Sequence, residues 1–329
     1  MEKVNLVNIK EIGINEFDGV KIGNAQDYDG ASGCTVFLFE EGAPAGLDVR
    51  GGGPASRESN LLNPLMNAEV IHGVLLSGGS AFGLDAAGGV MKYLEEKGIG
   101  VETGFAKVPL VCQSCIYDLG VGASDVRPDK DMAYQACLNA ETGNYQDGNH
   151  GAGTGASVGK ILGMKQAMKS GIGSYAIQIG DLKIGAVVVV NALGDVYDWK
   201  TGKEIAGLMD AECENMLSSE DVFINLSRIQ NNNHTGNTTL GIIFTNAEFS
   251  KADLCKIASM GHDGMARAIR PVHTSFDGDS IYAVSLGNIK ANRDAVGVLG
   301  ARVMAEAIVR AAENADAAYG LKSMKDFNK

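Results

Sequence analysis

The sequence predicts a single domain built from mixed layers of α-helices and β-strands. Short apolar, β-branched runs typical of buried strands alternate along the chain with longer amphipathic runs typical of helices. No internal repeat and no linker-like change of composition divides the 329 residues, and 45% of them are apolar, which suffices for a large core. These observations favour one domain, residues 1–329, of α/β (α+β) class.

Strands are predicted where apolar and β-branched residues run together without helical spacing. The pattern places them at 33–40, at a segment ending at Ser77, over the extended stretch 108–119, in a hairpin over 174–191 that turns at Gly180-Asp181, at 239–244 and at 280–286. Helices are predicted where apolar residues recur at helical spacing behind a capping residue. These segments run from a cap at Ser80 to Lys97, over 129–140, after a glycine-rich turn within 151–169, over 203–217, 250–269 and 291–315.

Charge and hydropathy limit the kinds of partner. The net charge is −12, and such a surface repels nucleic acid and anionic lipid. No apolar run reaches the roughly 18 residues of a membrane span. The first ten residues lack a basic segment followed by an apolar one, so no signal peptide is expected, and the cytoplasm is the expected location.

Two motifs suggest a metal or nucleotide, and neither is complete. Cys112 and Cys115 form a CxxC pair, but no second pair or histidine cluster accompanies it, so buried free thiols are favoured over zinc. The segment 151–160, GAGTGASVGK, resembles a phosphate loop. Its spacing does not match the phosphate-loop motif, because five residues separate Gly153 from Gly159. In addition, Ile161 stands where the motif needs Ser or Thr.

A junction between a polar loop and a buried strand is the sharper signal. The stretch 230–237, QNNNHTGN, has no apolar periodicity and should be an exposed loop, and Thr238 opens the apolar strand TLGIIF. Cleavage between Asn237 and Thr238 would put a hydroxyl nucleophile and a free α-amine on one residue. That amine, with an ordinary pKa near 8, can serve as a general base. An ordinary entry from loop to strand is the commoner meaning of such a junction.

Several segments together resemble the P1 peptidase family, the DmpA-like aminopeptidases. They are GCTVFLFE, AGLDVRGGGPASRE, HGVLLSGGSAFGLDAAGGVMKYLEEKGIG, VPLVCQSCIYDL, GTGASVGK and GNTTLGIIFTNA, and they span nearly the whole chain in the family's order. The resemblance implies a four-layer αββα sandwich like that of N-terminal-nucleophile hydrolases. It also implies autoproteolysis into an α subunit, 1–237, and a β subunit, 238–329, and amide hydrolysis with no metal or organic cofactor.

The resemblance also implies roles for individual residues. Thr238 matches the nucleophile, Asn191 the oxyanion-stabilising asparagine and Tyr117 a tyrosine at the site. Lys160 matches a lysine near the nucleophile in threonine-type members. Asp277 and Asp279 match the pair that orients the nucleophilic residue, where serine-type members are expected to have Ser and Glu. The aspartate pair therefore looks more like the threonine branch, which includes nylon-oligomer hydrolases.

The expected activity is hydrolysis of the N-terminal residue from short or unusual peptides, with D- or β-amino acyl groups, or of linear amides. The alternatives are an acyltransferase of the ornithine-acetyltransferase type, which shares the architecture and a threonine nucleophile, and a homologue that neither cleaves itself nor catalyses. The family also implies a homotetramer or larger assembly. The substrate and the effect of Cys112 and Cys115 on the pocket wall stay open.

Overall fold

The computed structural model describes residues 8–228 and 236–327, and within them twenty strands and five α-helices. In chain order the strands are β1 Lys10–Ile12, β2 Lys21–Asp27, β3 Ser32–Ala43, β4 Ala45–Val49, β5 Ala55–Arg57, β6 Ile71–Ser77, β7 Val101–Glu102, β8 Lys107–Val108, β9 Val111–Cys115, β10 Ser157–Val158, β11 Met168–Lys169, β12 Ile172–Ile179, β13 Leu182–Asn191, β14 Asp195–Tyr197, β15 Glu204–Ala206, β16 Leu208–Met209, β17 Met216–Leu217, β18 Thr238–Ala247, β19 Ile269–Arg270 and β20 Ser280–Ile289. The α-helices are α1 Ala87–Glu96, α2 Lys130–Glu141, α3 Ser219–Asn225, α4 Lys251–Ala268 and α5 Arg293–Glu313.

Two sheets carry most of the long strands. The first has six strands in the order β1-β12-β13-β18-β20-β4, and the second has five in the order β2-β3-β6-β9-β5. In the six-stranded sheet β13 and β18 are antiparallel, whereas β18 and β20 are parallel. The central strand β18 is therefore buried along nearly its whole length, as its apolar sequence requires.

Alternation of side chains along these strands creates four layers. One core cluster lies between the sheets, and it contains Phe37, Leu76, Val189, Ile242 and Tyr282 from strands of both. Neighbouring residues on the same strands face outward, because successive side chains of a strand point to opposite faces. On the six-stranded sheet these outward residues pack against α4 and α5, and on the five-stranded sheet they pack against α1 and α2. The layers are helix, sheet, sheet and helix, so the predicted αββα sandwich is confirmed.

Most predicted elements are present, and their caps explain their limits. Asp129 accepts a hydrogen bond from Met132 N at the start of α2, and Ser250 accepts one from Asp253 N at the start of α4. The hairpin of β12 and β13 turns at Gly180, whose φ of +57° suits glycine. The predicted helix at Ser80 begins differently, with a 3-10 turn over Ser80–Asp85 before α1, and Ser80 makes no side-chain cap.

Two predicted helices are wrong. The segment 203–217 forms short strands instead, and Leu208 N within it donates to Asp195 at 2.8 Å. This buried carboxylate takes up a backbone donor that a helix would use internally. The segment 151–169 contains only short strands and 3-10 turns, and Gly159 and Gly163 adopt φ of +71° and +100°, which no α-helix contains.

Part of the predicted loop at 230–237 lies outside the described residues, namely 230–235. Asn237 itself is buried, contrary to the expectation of an exposed loop there. Among the described residues, none of the helices combines the length and the hydropathy that a membrane crossing requires.

The packing of α5 on β12 gives a test of the fold. A Cβ atom at Gly173 would lie 2.3 Å from Ala307 O and 2.4 Å from Ala311 N, both in the backbone of α5. We expect Gly173→Ala to lower the free energy of unfolding by about 1–3 kcal/mol, because the helix must move away from the sheet. Urea denaturation with an unchanged slope is the measurement.

Gly13→Ala is the matched control, because its Cβ would meet only Glu16 at 3.5 Å, at an exposed position. Equal stability of the two variants would contradict the close approach of α5 to β12.

Candidate active site

The site forms where the ends of three neighbouring strands meet. Thr238 begins β18 and lies directly opposite Asn191, the last residue of β13. On the other side, the residues just before β20 continue the parallel pairing, and Asn237 forms a bridge with Asp277. Residues far apart in sequence are therefore brought beside one peptide bond, the bond between Asn237 and Thr238.

Two hydrogen-bond donors lie on the carbonyl oxygen of that peptide bond. Thr238 Oγ1 donates to Asn237 O, and Gly278 N donates to the same oxygen at 3.0 Å. These contacts are those of the intact peptide bond between Asn237 and Thr238. Gly278 has no side chain to interfere, and a Cβ there would lie 2.8 Å from Thr238 Oγ1. The carbonyl group is thus polarised by its own hydroxyl neighbour and by a backbone N–H.

Lys160 is buried beside the junction. Its Nζ donates to Asn191 O at 2.8 Å, to Asn191 Oδ1 at 2.9 Å and to Gly236 O at 3.0 Å. Burial lowers the pKa of Lys160 to about 7, although the negative charges of Asp277, Asp118 and Asp279 oppose this shift. A lysine with such a pKa can exchange a proton near neutral pH.

The side-chain amide of Asn191 is held in one orientation. Its Oδ1 accepts hydrogen bonds from Ser157 N at 3.1 Å and from Lys160 Nζ, whereas its Nδ2 donates to Tyr117 O at 2.9 Å. Exchanging the amide oxygen and nitrogen would place donors against donors, so these contacts fix the assignment. One hydrogen of Nδ2 is engaged by Tyr117, and the amide group has a second hydrogen to donate.

The two aspartates have different partners. Asp279 Oδ1 accepts a hydrogen bond from Thr239 N at 2.7 Å, so it fixes the residue next to Thr238. Asp277 Oδ2 accepts from Thr274 N at 2.9 Å and from Thr274 Oγ1 at 2.6 Å. Burial and then the negative charge of Asp279 raise the pKa of Asp277, against the hydrogen bonds from Thr274 and the charge of Lys160.

A cavity of about 580 Å³ adjoins the junction. Tyr117, Asp118, Lys160, Gly236 and Asn237 are in its wall, together with apolar residues such as Ile161 and Leu193. Gly236 has a φ of +102°, and a Cβ there would lie 2.4 Å from the ring of Tyr117, so only glycine fits between ring and cavity. The volume is that of a site for a small organic molecule.

The structure brings together all six residues that the sequence predicted for the site, Tyr117, Lys160, Asn191, Thr238, Asp277 and Asp279. Sequence reasoning missed Gly278, Ser157 and His273, which contact Asn237, Asn191 and Asp279 respectively. Gly278 stands between Asp277 and Asp279, and His273 precedes Asp277 by four residues, so their proximity in sequence to the predicted aspartates was the available signal. Cys112 and Cys115 are buried, and in the described part of the chain no group of three His, Cys, Asp or Glu could hold a metal ion.

Comparison with solved structures defines the fold. The structure of an L-aminopeptidase D-Ala-esterase/amidase from Ochrobactrum anthropi, described as a variant of the Ntn hydrolase fold, matches 94% of this chain and 89% of its own, with a TM-score of 0.69 and 16% identity. A β-aminopeptidase from Burkholderia sp. matches 94% of this chain and 89% of its own, with a TM-score of 0.65 and 18% identity. The chain therefore has the Ntn hydrolase fold.

Comparison of sequences defines the family. The profile of peptidase family S58 matches residues 13–325. An uncharacterized aminopeptidase of Mycobacterium leprae is 37% identical over 86% of this chain and 80% of its own. A 6-aminohexanoate-oligomer endohydrolase of Paenarthrobacter ureafaciens is 32% identical over 90% of this chain and 84% of its own. The chain belongs to peptidase family S58, as its resemblance to the DmpA-like aminopeptidases predicted, and it is a hydrolase of amide bonds.

The buried charge of Lys160 gives a test by pH. Its pKa is about 7 in the folded chain and 10.5 when exposed. Between pH 8 and pH 10 the unfolded chain therefore binds a proton that the folded chain lacks, so stability rises with pH. We expect wild type to gain about 2–3 kcal/mol relative to Lys160→Met over this interval, at 1.36 kcal/mol per pH unit.

The measurement is urea denaturation of both proteins at each pH. The exposed Lys203→Met variant is the control, and its difference from wild type should not change with pH. A constant difference between wild type and Lys160→Met would contradict a lowered pKa of Lys160.

Proposed function

We propose that the chain cleaves itself between Asn237 and Thr238, and that Thr238 is then the nucleophile of an aminopeptidase or amidohydrolase. The observation that carries this proposal is the contact of Thr238 Oγ1 with the carbonyl group that precedes it, which Gly278 N also contacts. A hydroxyl group beside its own peptide carbonyl is the arrangement that an N→O acyl shift needs.

The first stage is cleavage of the chain. Thr238 Oγ attacks the carbonyl carbon of Asn237, and Gly278 N–H stabilises the negative charge that develops on the oxygen. The C–N bond breaks, the nitrogen gains a proton and becomes the α-amine of Thr238, and an ester joins Asn237 to Oγ. Water then hydrolyses this ester, which frees the carboxylate of Asn237 and the hydroxyl of Thr238. The products are residues 1–237 and 238–329.

The second stage is turnover. The free α-amine of Thr238, with an ordinary pKa of about 7.7–8.0, takes the proton from Oγ. Oγ attacks the amide of the substrate, the amine product leaves, and water releases the acyl group from Thr238. Lys160, which lies beside Asn191 and Gly236, has a pKa of about 7, and in its protonated form its positive charge near the α-amine favours the neutral, basic form of that amine. The free hydrogen of Asn191 Nδ2 is the proposed donor to the substrate oxyanion.

The proposed substrates are short peptides or linear amides that carry a free amino group. The wall of the cavity contains Asp118, a buried carboxylate that accepts hydrogen bonds from Ser32 Oγ and Gly79 N, each at 2.7 Å. Burial raises the pKa of Asp118, against these hydrogen bonds and the charge of Lys160, and in its ionised form the carboxylate supports an amine-bearing substrate. Relatives named as aminopeptidases and as 6-aminohexanoate-oligomer endohydrolases support the same class. The homotetramer and the cytoplasmic location stay predictions.

Self-cleavage is tested by the intact mass of freshly purified protein under denaturing conditions. We expect wild type to give two species, one of which begins at Thr238. Thr238→Ala should give only the full-length chain and no activity, because it lacks the nucleophile. Thr238→Ser, which keeps the hydroxyl, should still cleave.

Thr201→Ala is the control, because this exposed threonine donates its hydroxyl to Asp198, in a turn outside the site, so the variant should still cleave. Cleavage of Thr238→Ala at the same bond, or a full-length wild type after prolonged incubation, would refute the proposal.

The substrate class is tested with a panel of free-amine aminoacyl p-nitroanilides, their N-acetylated forms and 6-aminohexanoate oligomers. We expect hydrolysis of the free-amine anilides, and a loss of at least tenfold in kcat/KM on N-acetylation, because acetylation removes the positive charge. If all anilides fail and the oligomers are cleaved, the aminopeptidase assignment is wrong and an endohydrolase takes its place.

A further inference from the structure

His273 takes part in a network of hydrogen bonds that reaches Thr239, the residue after Thr238. Its backbone N and its ring Nδ1 both approach Asp279 Oδ2, at 3.1 Å and 2.8 Å. The other oxygen of the same carboxylate accepts the Thr239 N–H at 2.7 Å. The side chain of Asp279 is 1% exposed. One carboxylate therefore joins the His273 turn to the first residues of β18.

The tautomer of His273 follows from its partner. An ionised carboxylate can only accept hydrogen bonds, so Nδ1 of His273 carries the hydrogen. Its Nε2 is buried and has no hydrogen-bond partner in the described part of the protein. His273 therefore donates from Nδ1 to the carboxylate of Asp279.

The imidazole ring of His262, in α4, packs against the ring of His273. The two imidazole rings meet edge to face with their centroids 4.7 Å apart. His262 Nε2 lies 3.1 Å from the carbonyl oxygen of Asp48, which can only accept, so this nitrogen carries the hydrogen. Burial lowers the pKa of His262 to about 4, so this ring is neutral near pH 7.

The backbone at His273 is itself unusual. Its φ is +59°, in the left-handed region that asparagine, aspartate and histidine enter more readily than other side chains do. This conformation directs both its backbone N–H and its ring N–H to one carboxylate oxygen. An amino acid at 273 must therefore tolerate the left-handed region and offer a donor on the atom after Cγ.

We propose that His273 is a positioning residue that locks the Asp279 carboxylate onto Thr239 N–H and thereby fixes Thr238 for attack. Three donors, Thr239 N, His273 N and His273 Nδ1, leave the carboxylate no alternative orientation. Because this N–H belongs to the peptide unit that joins Thr238 to Thr239, holding it restricts the backbone from which the hydroxyl of Thr238 projects. The inference rests on the proposed nucleophile for its kinetic readouts, but its structural readout is independent of catalysis.

Two variants separate the hydrogen bond from the space that the ring fills. His273→Asn keeps an N–H donor at the position of Nδ1 and tolerates the left-handed backbone. His273→Gly removes the donor and suits the same backbone better still. We expect His273→Gly to slow both self-cleavage and kcat by at least tenfold with KM within twofold, and we expect His273→Asn to stay within threefold of wild type.

His72→Asn is the matched control, because His72 is also buried and its Nδ1 accepts a hydrogen bond from Leu110 N in the other large sheet. It should leave the rates of cleavage and turnover unchanged. If His273→Gly does not fold, His273→Leu, which fills the space without a donor, replaces it in the comparison with asparagine.

The readout that does not need activity is hydrogen exchange at the Thr239 amide, measured in the Thr238→Ala chain. His273→Gly should make this amide exchange at least tenfold faster, whereas His273→Asn should not. Wild-type rates and an unchanged Thr239 amide in His273→Gly would overturn the inference, and so would an asparagine variant as impaired as the glycine variant. A wild type that never cleaves would refute the proposed function, and the Thr239 amide would then decide the role of His273 by itself.

Discussion

The geometry of the site depends on the pairing of β18 with two neighbouring strands, β13 and β20, which run in opposite directions. Its antiparallel partner β13 ends at Asn191, opposite Thr238, and its parallel partner β20 begins just after Asp279. The peptide bond between Asn237 and Thr238 therefore enters the sheet where one neighbour ends and the other starts. A shift of one residue in the pairing would turn Thr238 to the other face of the sheet and would separate it from Lys160 and Gly278.

The same region holds an unusual amount of buried charge. Lys160 and Lys169 are both buried, and burial lowers the pKa of each to about 7 against the negative charge of Asp118. Lys169 Nζ donates to Gly153 O at 3.1 Å and to Ala156 O at 2.9 Å, so it holds the loop that carries Ser157. Ser157 N in turn contacts Asn191 Oδ1. The cost of burying two ammonium groups is thus offset by carbonyl acceptors, and the result is a rigid frame around Asn191.

Glycine explains how so many polar groups approach one another. A Cβ at Gly155 would lie 2.3 Å from Ala31 O, and one at Gly78 would lie 2.0 Å from Asp118 Oδ2. Glycine at these positions therefore lets backbone pass close to backbone or to a charged group, whereas others of the 44 glycines, such as Gly98 and Gly202, meet nothing within 4 Å. This is why 151–160 resembles a phosphate loop in sequence but instead packs its glycines against the protein.

The four layers and the six proposed site residues were expected from the resemblance to a family, whereas the contacts among those residues were not. Strongly apolar, β-branched runs form buried strands in any fold, so β3, β18 and β20 were predictable from residue type alone. The stretch 203–217 has helical composition, but Leu208 N within it donates to Asp195, and the residues near this stretch do not predict that contact. Gly278 and His273 depend on strand register, which composition does not encode. The resemblance to a family identified residues for the site, whereas the hydrogen-bond donors to Asn237 O and to Asp279 could be found only from the structure.

The geometry explains why the two proposed stages can share one set of groups. In the uncleaved chain the carbonyl of Asn237 occupies the space between Thr238 Oγ1 and Gly278 N, and Asn237, rather than Thr238, forms the wall of the cavity. A substrate carbonyl must reach Thr238 Oγ from the cavity side, and so it must take the place that the Asn237 carbonyl leaves. Self-cleavage is then the first turnover of the proposed site, with the chain as its own substrate. Departure of Asn237 both exposes the nucleophile and vacates the position of the acyl group.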